Sequence, residues 1–306
     1  MRMGAIDIGT NSMRLLVCDY IDGELLNRKK FINTTRIGEG VDENGFIRED
    51  AIRRNLDALK DFYGLSKAEG CEKVYCIGTS ALRDSKNSDD FIKRAKLEIG
   101  IDVEVISGSD ESNLGFLGVL KGTNEENDIL VIDIGGGSTE FIIGNSEGIK
   151  FSKSENVGAL RMTEKFLTTD IVDDYEFDMM SDFIEKNIKD TINYIKNIKI
   201  NKFVGIGGTI TSLSAMNQEL EVYSMEKIHN SEINIDDIEK ILQNLKKMTL
   251  SDKKSLKGLQ SKRADIITAG VKVLHIIMKN LELSNIIVSE YDNLEGLICQ
   301  KAKKMS

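Results

Sequence analysis

Residues 7–12 read Asp-Ile-Gly-Thr-Asn-Ser, and residues 133–138 read Asp-Ile-Gly-Gly-Gly-Ser. The two stretches match at a constant offset of 126 residues, and each lies between two apolar stretches typical of β-strands. This self-similarity indicates an internal duplication. A single copy would be typical of a tight turn between strands. The pair favours a shared function for the two turns.

The composition of the two turns suits phosphate binding. Glycines let backbone N–H groups approach phosphate oxygens, hydroxyl groups add donors, and the leading aspartates can hold a hydrated cation. Two facing copies would clamp a phosphate chain. A third glycine-rich stretch, Gly-Ile-Gly-Gly-Thr at residues 205–209, also follows an apolar strand.

Hydrophobic periodicity predicts a mixed α/β protein. Antiparallel strands are expected over residues 3–8, 13–20 and 24–33, because the turns between them are short. Strands that alternate with helices after residue 129 predict a second α/β domain. The 306-residue length also favours two domains. The polar segment 122–128 is the expected junction and hinge, which gives an N-terminal domain over 1–124 and a C-terminal domain over 125–306.

Composition narrows the class of partner. A net charge of −9 opposes nonspecific binding to nucleic acid or to anionic membranes. No stretch has the length of a membrane span, and no secretion signal is recognised, so a cytoplasmic protein is expected. The four cysteines lack paired spacing, which favours buried thiols over a zinc site or disulfides. The sequence leaves the oligomeric state open, a homodimer included.

The three glycine-rich turns resemble those of the superfamily of actin, sugar kinases and heat-shock chaperone ATPases. The predicted fold is therefore a two-domain actin-like (ribonuclease H-like) α/β architecture with duplicated phosphate-binding β-hairpins. A Walker-type protein is not indicated, since no GxxxxGK[ST] motif occurs.

Longer motifs narrow the resemblance to one family. The sequence is similar to the exopolyphosphatase/guanosine pentaphosphate phosphatase family in these motifs, given in chain order: DIGTNSMRLLV, TSALRDSKN, ISGSDESNLGFLGV, DIGGGSTEF, VGALRMTEKF, GIGGT and RADIITAG. It departs from the family at His229-Asn230, where His-Gly is usual, and at Leu294, where arginine is common. From the resemblance, the additional C-terminal domains of longer members are expected to be absent.

The resemblance implies a hydrolase that cleaves the terminal phosphoanhydride bonds of polyphosphate or the 5′ γ-phosphate of guanosine pentaphosphate. The implied metal ion is magnesium, with manganese as an alternative. Guanosine tetraphosphate is a related ligand. The catalytic candidate is Glu111. The expected metal ligands are Asp7, Asp133 and Glu140. The expected phosphate ligands are Asn11, Ser12, Arg14, Thr79, Arg83, Gly135, Gly136, Gly137, Ser138, Thr139, Gly207 and Gly208.

Each role has a plainer alternative. Glu111 falls in the first turn of a predicted helix, where the dipole favours an ionised base but where acids are also common helix stabilisers. Arg83 could pair with Asp84 or Asp89 instead of phosphate. Arg14 and Glu140 occupy equivalent positions in the two copies of the repeat. Their opposite charges predict that Arg14 binds phosphate and Glu140 binds the metal, or alternatively that the two form an ion pair. Arg161 lies in a family motif but is also compatible with a solvated helix.

Two other functions stay open. A small-molecule kinase of the same superfold would need an acceptor pocket, and analysis of its products would show phosphate transfer in place of release. A nucleotide- or alarmone-binding regulatory module would bind ligand tightly with little turnover. The sequence does not separate polyphosphate from guanosine pentaphosphate as the substrate.

Overall fold

The computed structural model describes residues 1–123 and 127–304. The chain forms two compact units, one of Met1–Lys121 with Tyr291–Ser306 and one of Gly122–Glu290. The predicted second domain, 125–306, is therefore wrong at its C-terminal end, because the last segment returns to the first unit. The predicted boundary at residues 124 and 125 and the central part of the predicted hinge lie outside the described residues.

The first unit contains a five-stranded sheet. Its strands are β1 (Arg2–Ile8), β2 (Met13–Ile21), β3 (Glu24–Asn33), β4 (Lys73–Gly78) and β5 (Glu104–Val105), in the order β3-β2-β1-β4-β5. The first three pair antiparallel, as their short turns predict, and β4 and β5 add in parallel. The helices are α1 (Val41–Asn44), α2 (Glu49–Ala68), α3 (Ser80–Asp84), α4 (Ser88–Arg94) and α5 (Gly108–Gly122).

The second unit contains a six-stranded sheet. Its strands are β6 (Ile129–Ile134), β7 (Thr139–Asn145), β8 (Gly148–Glu155), β9 (Lys202–Ile206), β10 (Glu232–Asn234) and β11 (Asn285–Val288), in the order β10-β11-β9-β6-β7-β8. The helices are α6 (Ala159–Phe166), α7 (Asp174–Ile195), α8 (Gly207–Asn217), α9 (Met225–Ile228), α10 (Ile235–Lys247), α11 (Leu250–Lys254) and α12 (Ile267–Asn280). The final helix, α13 (Asn293–Lys303), belongs to the first unit.

Both units repeat one arrangement of strands, which confirms the predicted two-domain actin-like fold. In each, an antiparallel hairpin carries a glycine-containing turn, and the first strand of the hairpin also pairs in parallel with a later strand. Side chains alternate between the faces of a strand. Accordingly, Ile6 and Ile8 join one core of the first unit, whereas Met3 and Ala5 join a second core that includes Leu297 of α13.

Two further predictions can be compared with the structure. All four cysteines are buried and free, as their spacing predicts, and burial raises the pKa of the Cys18 thiol to about 12. Within residues 1–123 and 127–304, no helix combines the length and apolar character needed to cross a bilayer.

Candidate functional site

The first glycine-containing turn closes the β1–β2 hairpin. Gly9 N–H donates to the Ser12 carbonyl at 3.1 Å, which fixes a tight loop. Asp7 and Arg14 are cross-strand partners on either side of it, and Arg14 Nη2 donates to Asp7 Oδ2 at 2.5 Å. Arg14 therefore pairs within its own hairpin.

The carbonyl groups of this first loop are held by the segment that follows β3. Gly38 N–H donates to the Thr10 carbonyl at 3.0 Å, and Arg36 N–H donates to the Asn11 carbonyl at 2.9 Å. In a trans peptide, the N–H of a residue points away from the carbonyl before it. The Asn11 and Ser12 amides therefore point away from the 36–38 segment. The side chains lie nearby, with Asn11 Nδ2 3.1 Å from Ser12 Oγ.

The second turn repeats the closing hydrogen bond and the cross-strand pairing of the first. Gly135 N–H donates to the Ser138 carbonyl at 3.0 Å, and Asp133 and Glu140 are cross-strand partners as Asp7 and Arg14 are. The sequence repeat is thus a structural repeat. One difference carries charge, since the arginine of the first hairpin is replaced by glutamate in the second.

Helix α6 fixes the second loop through its carbonyl groups. Ala159 N–H donates to the carbonyl of Gly135 at 2.9 Å, and Leu160 N–H donates to that of Gly136 at 2.9 Å. Arg161 adds a side-chain bond from Nε to the Gly137 carbonyl at 2.7 Å. Because the peptides are trans, the amides of residues 136–138 all point away from α6. Successive amides turned to one side form an anion-binding nest.

Two carboxylates lie beside the second loop. Asp133 and Glu140 project from paired positions on the face opposite the core residues Ile132 and Ile134, with 8% and 2% exposure. Glu140 Oε1 accepts hydrogen bonds from the Ser138 and Ser154 hydroxyls, each at 2.7 Å. These two hydrogen bonds orient the Glu140 carboxylate, as metal sites require.

The donor set fits magnesium better than a caged metal. Among the residues that the structure describes, no cluster of three or more histidine, cysteine, aspartate or glutamate side chains could hold a metal ion. Magnesium needs less, because it binds through one or two carboxylates, substrate phosphates and retained waters. Asp133 and Glu140 provide such a pair. In the first unit, Asp7 Oδ2 accepts from Arg14, whereas its Oδ1 is buried and accepts no hydrogen bond from any residue that the structure describes.

The protonation of Asp7 depends on both its burial and the charge of Arg14. Burial raises the pKa of the Asp7 carboxyl above its ordinary value, while the charge of Arg14 opposes that rise. The buried position makes Asp7 dependent on a neighbouring cation, whether that cation is Arg14 alone or Arg14 with a metal.

Glu111 lies in the first turn of α5, where the sequence predicts it. The capping contacts at this helix start are made by Ser107, whose Oγ accepts from Asp110 N–H at 3.1 Å and whose hydroxyl donates to Asp110 Oδ2 at 2.7 Å. Glu111 is instead buried, with 8% exposure, and its Oε2 accepts from Arg83 Nη1 at 3.1 Å. Helix capping therefore does not require the Glu111 side chain.

Arg83 contacts several groups near the start of α5. Besides Glu111, its Nη1 donates to the Ile106 carbonyl at 3.1 Å, and its Nε lies 3.9 Å from Asp84 Oδ1. The expected alternative pairing with Asp84 is thus present, but it is longer than the contact with Glu111. A single hydrogen bond from Arg83 Nη1 thus helps to orient the carboxylate of the catalytic candidate.

The candidate residues of the first unit follow the ends of neighbouring parallel strands. The first loop follows β1, Thr79 and Arg83 follow β4, and Glu111 follows β5. Carboxyl ends of parallel strands meet at one sheet edge, where ligands of α/β proteins bind. Two contacts confirm that the segments meet: Thr79 N–H donates to the Ile8 carbonyl at 3.3 Å, and the Thr10 and Ser80 hydroxyls lie 2.7 Å apart.

The third glycine-rich stretch is the junction between β9 and α8. β9 is the parallel neighbour of β6, so the junction lies beside the end of the strand that carries Asp133. Gly207 has φ of +87°, and a Cβ there would collide with Asp133 Oδ1. At Gly208, a Cβ would collide with the guanidinium of Arg263, a buried residue that the sequence did not single out. Glycine is required at Gly207 by its positive φ, whereas a side chain at Gly208 would require the Arg263 guanidinium to shift.

The two departures from the family motifs have structural explanations. Asn230 has φ of +63°, a left-handed conformation that asparagine tolerates better than most residues that replace glycine. Its neighbour His229 accepts from Glu290 N–H through Nδ1 at 3.3 Å, and Nε2 lies 3.2 Å from the Gly122 carbonyl. Leu294 is fully buried in the core between α13 and the sheet.

Comparison with known proteins agrees with this geometry. Residues 21–305 match the model of the Ppx/GppA phosphatase family. The chain belongs to the Ppx/GppA phosphatase family.

Relatives within the Ppx/GppA family differ in length. The chain is 37% identical to a bifunctional 3-dehydroquinate synthase/phosphatase of Fusobacterium nucleatum, with 97% of this chain covered but 46% of that protein. It therefore spans less than half the length of this relative. It is 32% identical to exopolyphosphatase 2 of Mycobacterium tuberculosis, with 97% of each chain covered.

A solved structure supports the described fold. The crystal structure of an exopolyphosphatase from Cytophaga hutchinsonii is 30% identical, covers 99% of this chain and 98% of its own, and has a TM-score of 0.91. The similarity extends over both units.

Proposed function

We propose that this Ppx/GppA phosphatase is a magnesium-dependent hydrolase that removes the terminal phosphate from a phosphoanhydride chain. The observation that carries the proposal is the orientation of the second loop: three consecutive carbonyls are bound on one side, which turns the amides of residues 136–138 to the other, beside Asp133 and Glu140. An amide nest next to paired carboxylates suits a phosphate that arrives with a divalent cation.

In the proposed reaction, the Glu111 carboxylate accepts a proton from water. The water oxygen bonds to the terminal phosphorus while the bond from that phosphorus to the bridging oxygen breaks. The products are orthophosphate and a chain one phosphate shorter, which takes up a proton from solvent. No covalent nucleophile is needed, because phosphoryl transfer depends mainly on positioning and charge stabilisation. Arg83 holds Glu111 and offers further donors to substrate phosphate.

Charge neutralisation is divided among several groups. In the second unit, Asp133 and Glu140 would hold Mg²⁺ or Mn²⁺, and the bound ion would offset the charge of the phosphates. In the first unit, Asp7 Oδ1 is the remaining proposed metal-binding oxygen. In the first unit, phosphate would be bound by Arg14, by Thr79 and by the side chains of Asn11 and Ser12. In the second unit, the amides of residues 136–138 and the Gly207–Gly208 junction would complete the phosphate contacts. Gly135 and Thr139 have their donors occupied instead, because Gly135 N–H donates to the Ser138 carbonyl and the Thr139 hydroxyl donates to the Val157 carbonyl.

The substrate class is inferred from relatives and from chemistry. Two relatives are named exopolyphosphatases, which favours inorganic polyphosphate, and the same terminal anhydride occurs in guanosine pentaphosphate. Cytoplasmic location and dimer formation stay predictions.

A phosphate-release assay tests the proposal. Polyphosphates of several lengths, guanosine pentaphosphate and ATP are compared with and without Mg²⁺. We expect orthophosphate from polyphosphate or guanosine pentaphosphate only when Mg²⁺ is present. Tight ligand binding without release would favour a regulatory module. Transfer of phosphate to a small-molecule acceptor would favour a kinase.

A further inference from the structure

Arg14 is held by two carboxylates from distant parts of the first unit. Its Nη2 donates to Asp7 Oδ2 at 2.5 Å, and its Nη1 donates to Asp292 Oδ2 at 2.7 Å. Asp7 is on the adjacent strand, whereas Asp292 precedes α13 and is 278 residues from Arg14 in sequence. Two charged acceptors on different elements fix the plane of a guanidinium, which one acceptor would leave able to pivot.

Asp292 is itself firmly placed. Its Oδ1 caps α13 by accepting from Leu294 N–H at 3.0 Å, and its own N–H donates to Glu295 Oε2 at 3.0 Å. Its Oδ2 also lies 3.3 Å from Lys30 Nζ. The two oxygens therefore have separate tasks, since Oδ1 caps the helix and Oδ2 binds the cations.

The electrostatics keep this carboxylate charged. Burial acts to raise the pKa of Asp292, but the charges of Arg14 and Lys30 and the Leu294 amide outweigh it, so the pKa lies below its ordinary value. Meanwhile the Arg14 side chain stays 21% exposed, so a phosphate can reach it.

We propose that Asp292 is a positioning residue for Arg14, holding its guanidinium beside the first loop in the orientation that phosphate binding requires. The effect of Asp292 on catalysis rests on the proposed function. The effect of Asp292 on the orientation of Arg14 does not depend on that function.

The variant Asp292→Asn separates capping from positioning. Asparagine caps helices as well as aspartate does, but its amide nitrogen cannot accept from Arg14. We expect kcat/KM to fall about 10²-fold, mainly through KM, because a misplaced binding group is costly. Asp173→Asn is the matched control: Asp173 caps α7 by accepting from Tyr175 N–H at 2.8 Å, and this variant should keep wild-type kinetics.

A double-mutant comparison tests whether Asp292 acts through Arg14. Arg14→Gln and the double variant Arg14→Gln/Asp292→Asn should agree in kcat/KM within about twofold, as expected when the second change has no partner left to affect. The double variant removes one charge of each sign, so it stays informative even where Asp292→Asn alone fails to fold. A double variant far less active than Arg14→Gln would overturn the proposal, as would an unchanged KM in a folded Asp292→Asn.

Nuclear magnetic resonance of the arginine side chains gives a readout that needs no substrate. Arg14 should show slow rotation about its Nε–Cζ bond in the wild type and faster rotation in Asp292→Asn, but not in Asp173→Asn. Equal rotation in wild type and Asp292→Asn would overturn the inference. A wild-type protein that releases no phosphate, yet shows this change in rotation, would refute the proposed function and leave the positioning role supported.

Discussion

Replacement of Glu111 by glutamine tests whether this residue activates water or only stabilises the start of α5. The glutamine keeps the size of the side chain and can still accept from Arg83, but it cannot take a proton from water. Loss of a general base costs roughly 10²–10⁴-fold in rate. The expected result is a collapse of kcat with retained substrate binding.

The cost to stability can be bounded from the structure. Glu111 is not the capping residue, and its pair with Arg83 involves an arginine side chain that is 26% exposed. Loss of a first-turn charge and of a partly exposed ion pair costs about 1 kcal/mol. For a unit of this size that corresponds to roughly 2–4 °C in melting temperature.

The assay measures phosphate release and thermal unfolding on the same preparations. Asp110→Asn is the matched control, since it removes a neighbouring first-turn acid that bonds Ser107. The control should lose a similar amount of stability while hydrolysing at nearly the wild-type rate. If Glu111→Gln melts earlier but hydrolyses at that rate, the reasoning is refuted, and water activation must be reassigned to Glu140 or Asp110.

Four other predictions address the loops, the metal and acid stability. Chelator should abolish phosphate release and Mg²⁺ should restore it, with Glu140→Gln needing more Mg²⁺; turnover in excess chelator would contradict the assigned ligands. Gly207→Ala should also raise the Mg²⁺ requirement, measured by titration, because the added Cβ displaces Asp133. An unchanged requirement would argue against Asp133 as a metal ligand. Arg161→Gln should raise KM about tenfold or more, as expected for a displaced loop. Unchanged steady-state kinetics would mean that the backbone amides of α6 orient the second loop without the Arg161 side chain. For Asp292, the folded pKa lies below the ordinary value of 3.8, so its ionised form stabilises the fold fully above that value, and the effect is lost as pH falls below it and through the lower folded pKa. Urea unfolding of wild type and Asp292→Asn should therefore converge on acidification, and a constant difference would contradict the assignment.

The sequence was informative where a residue's role depends on its immediate neighbours. The two duplicated turns, the antiparallel hairpins and the placement of Glu111 in the first turn of α5 follow from local motifs. Strand β8 was missed because it is a half-exposed edge strand without clean alternation, and β10 because it has three residues.

Other features depend on contacts between distant residues. The return of α13 to the first unit and the contact between Arg14 and Asp292 join residues 278 positions apart, which no local pattern specifies. The Arg161 side chain, which had a solvated alternative, bonds the Gly137 carbonyl and so helps to set the direction of the loop amides. Such orientations become visible only when backbone hydrogen bonds are known.

Hydrolysis in ¹⁸O-labelled water measures the central claim most directly, namely that a water activated by Glu111 attacks the terminal phosphorus. With polyphosphate and Mg²⁺, the wild type should place one ¹⁸O atom in each released orthophosphate and none in the shortened chain, whereas Glu111→Gln should release almost no labelled phosphate. Label in the remaining chain, unlabelled orthophosphate, or undiminished labelled release by Glu111→Gln would contradict the account.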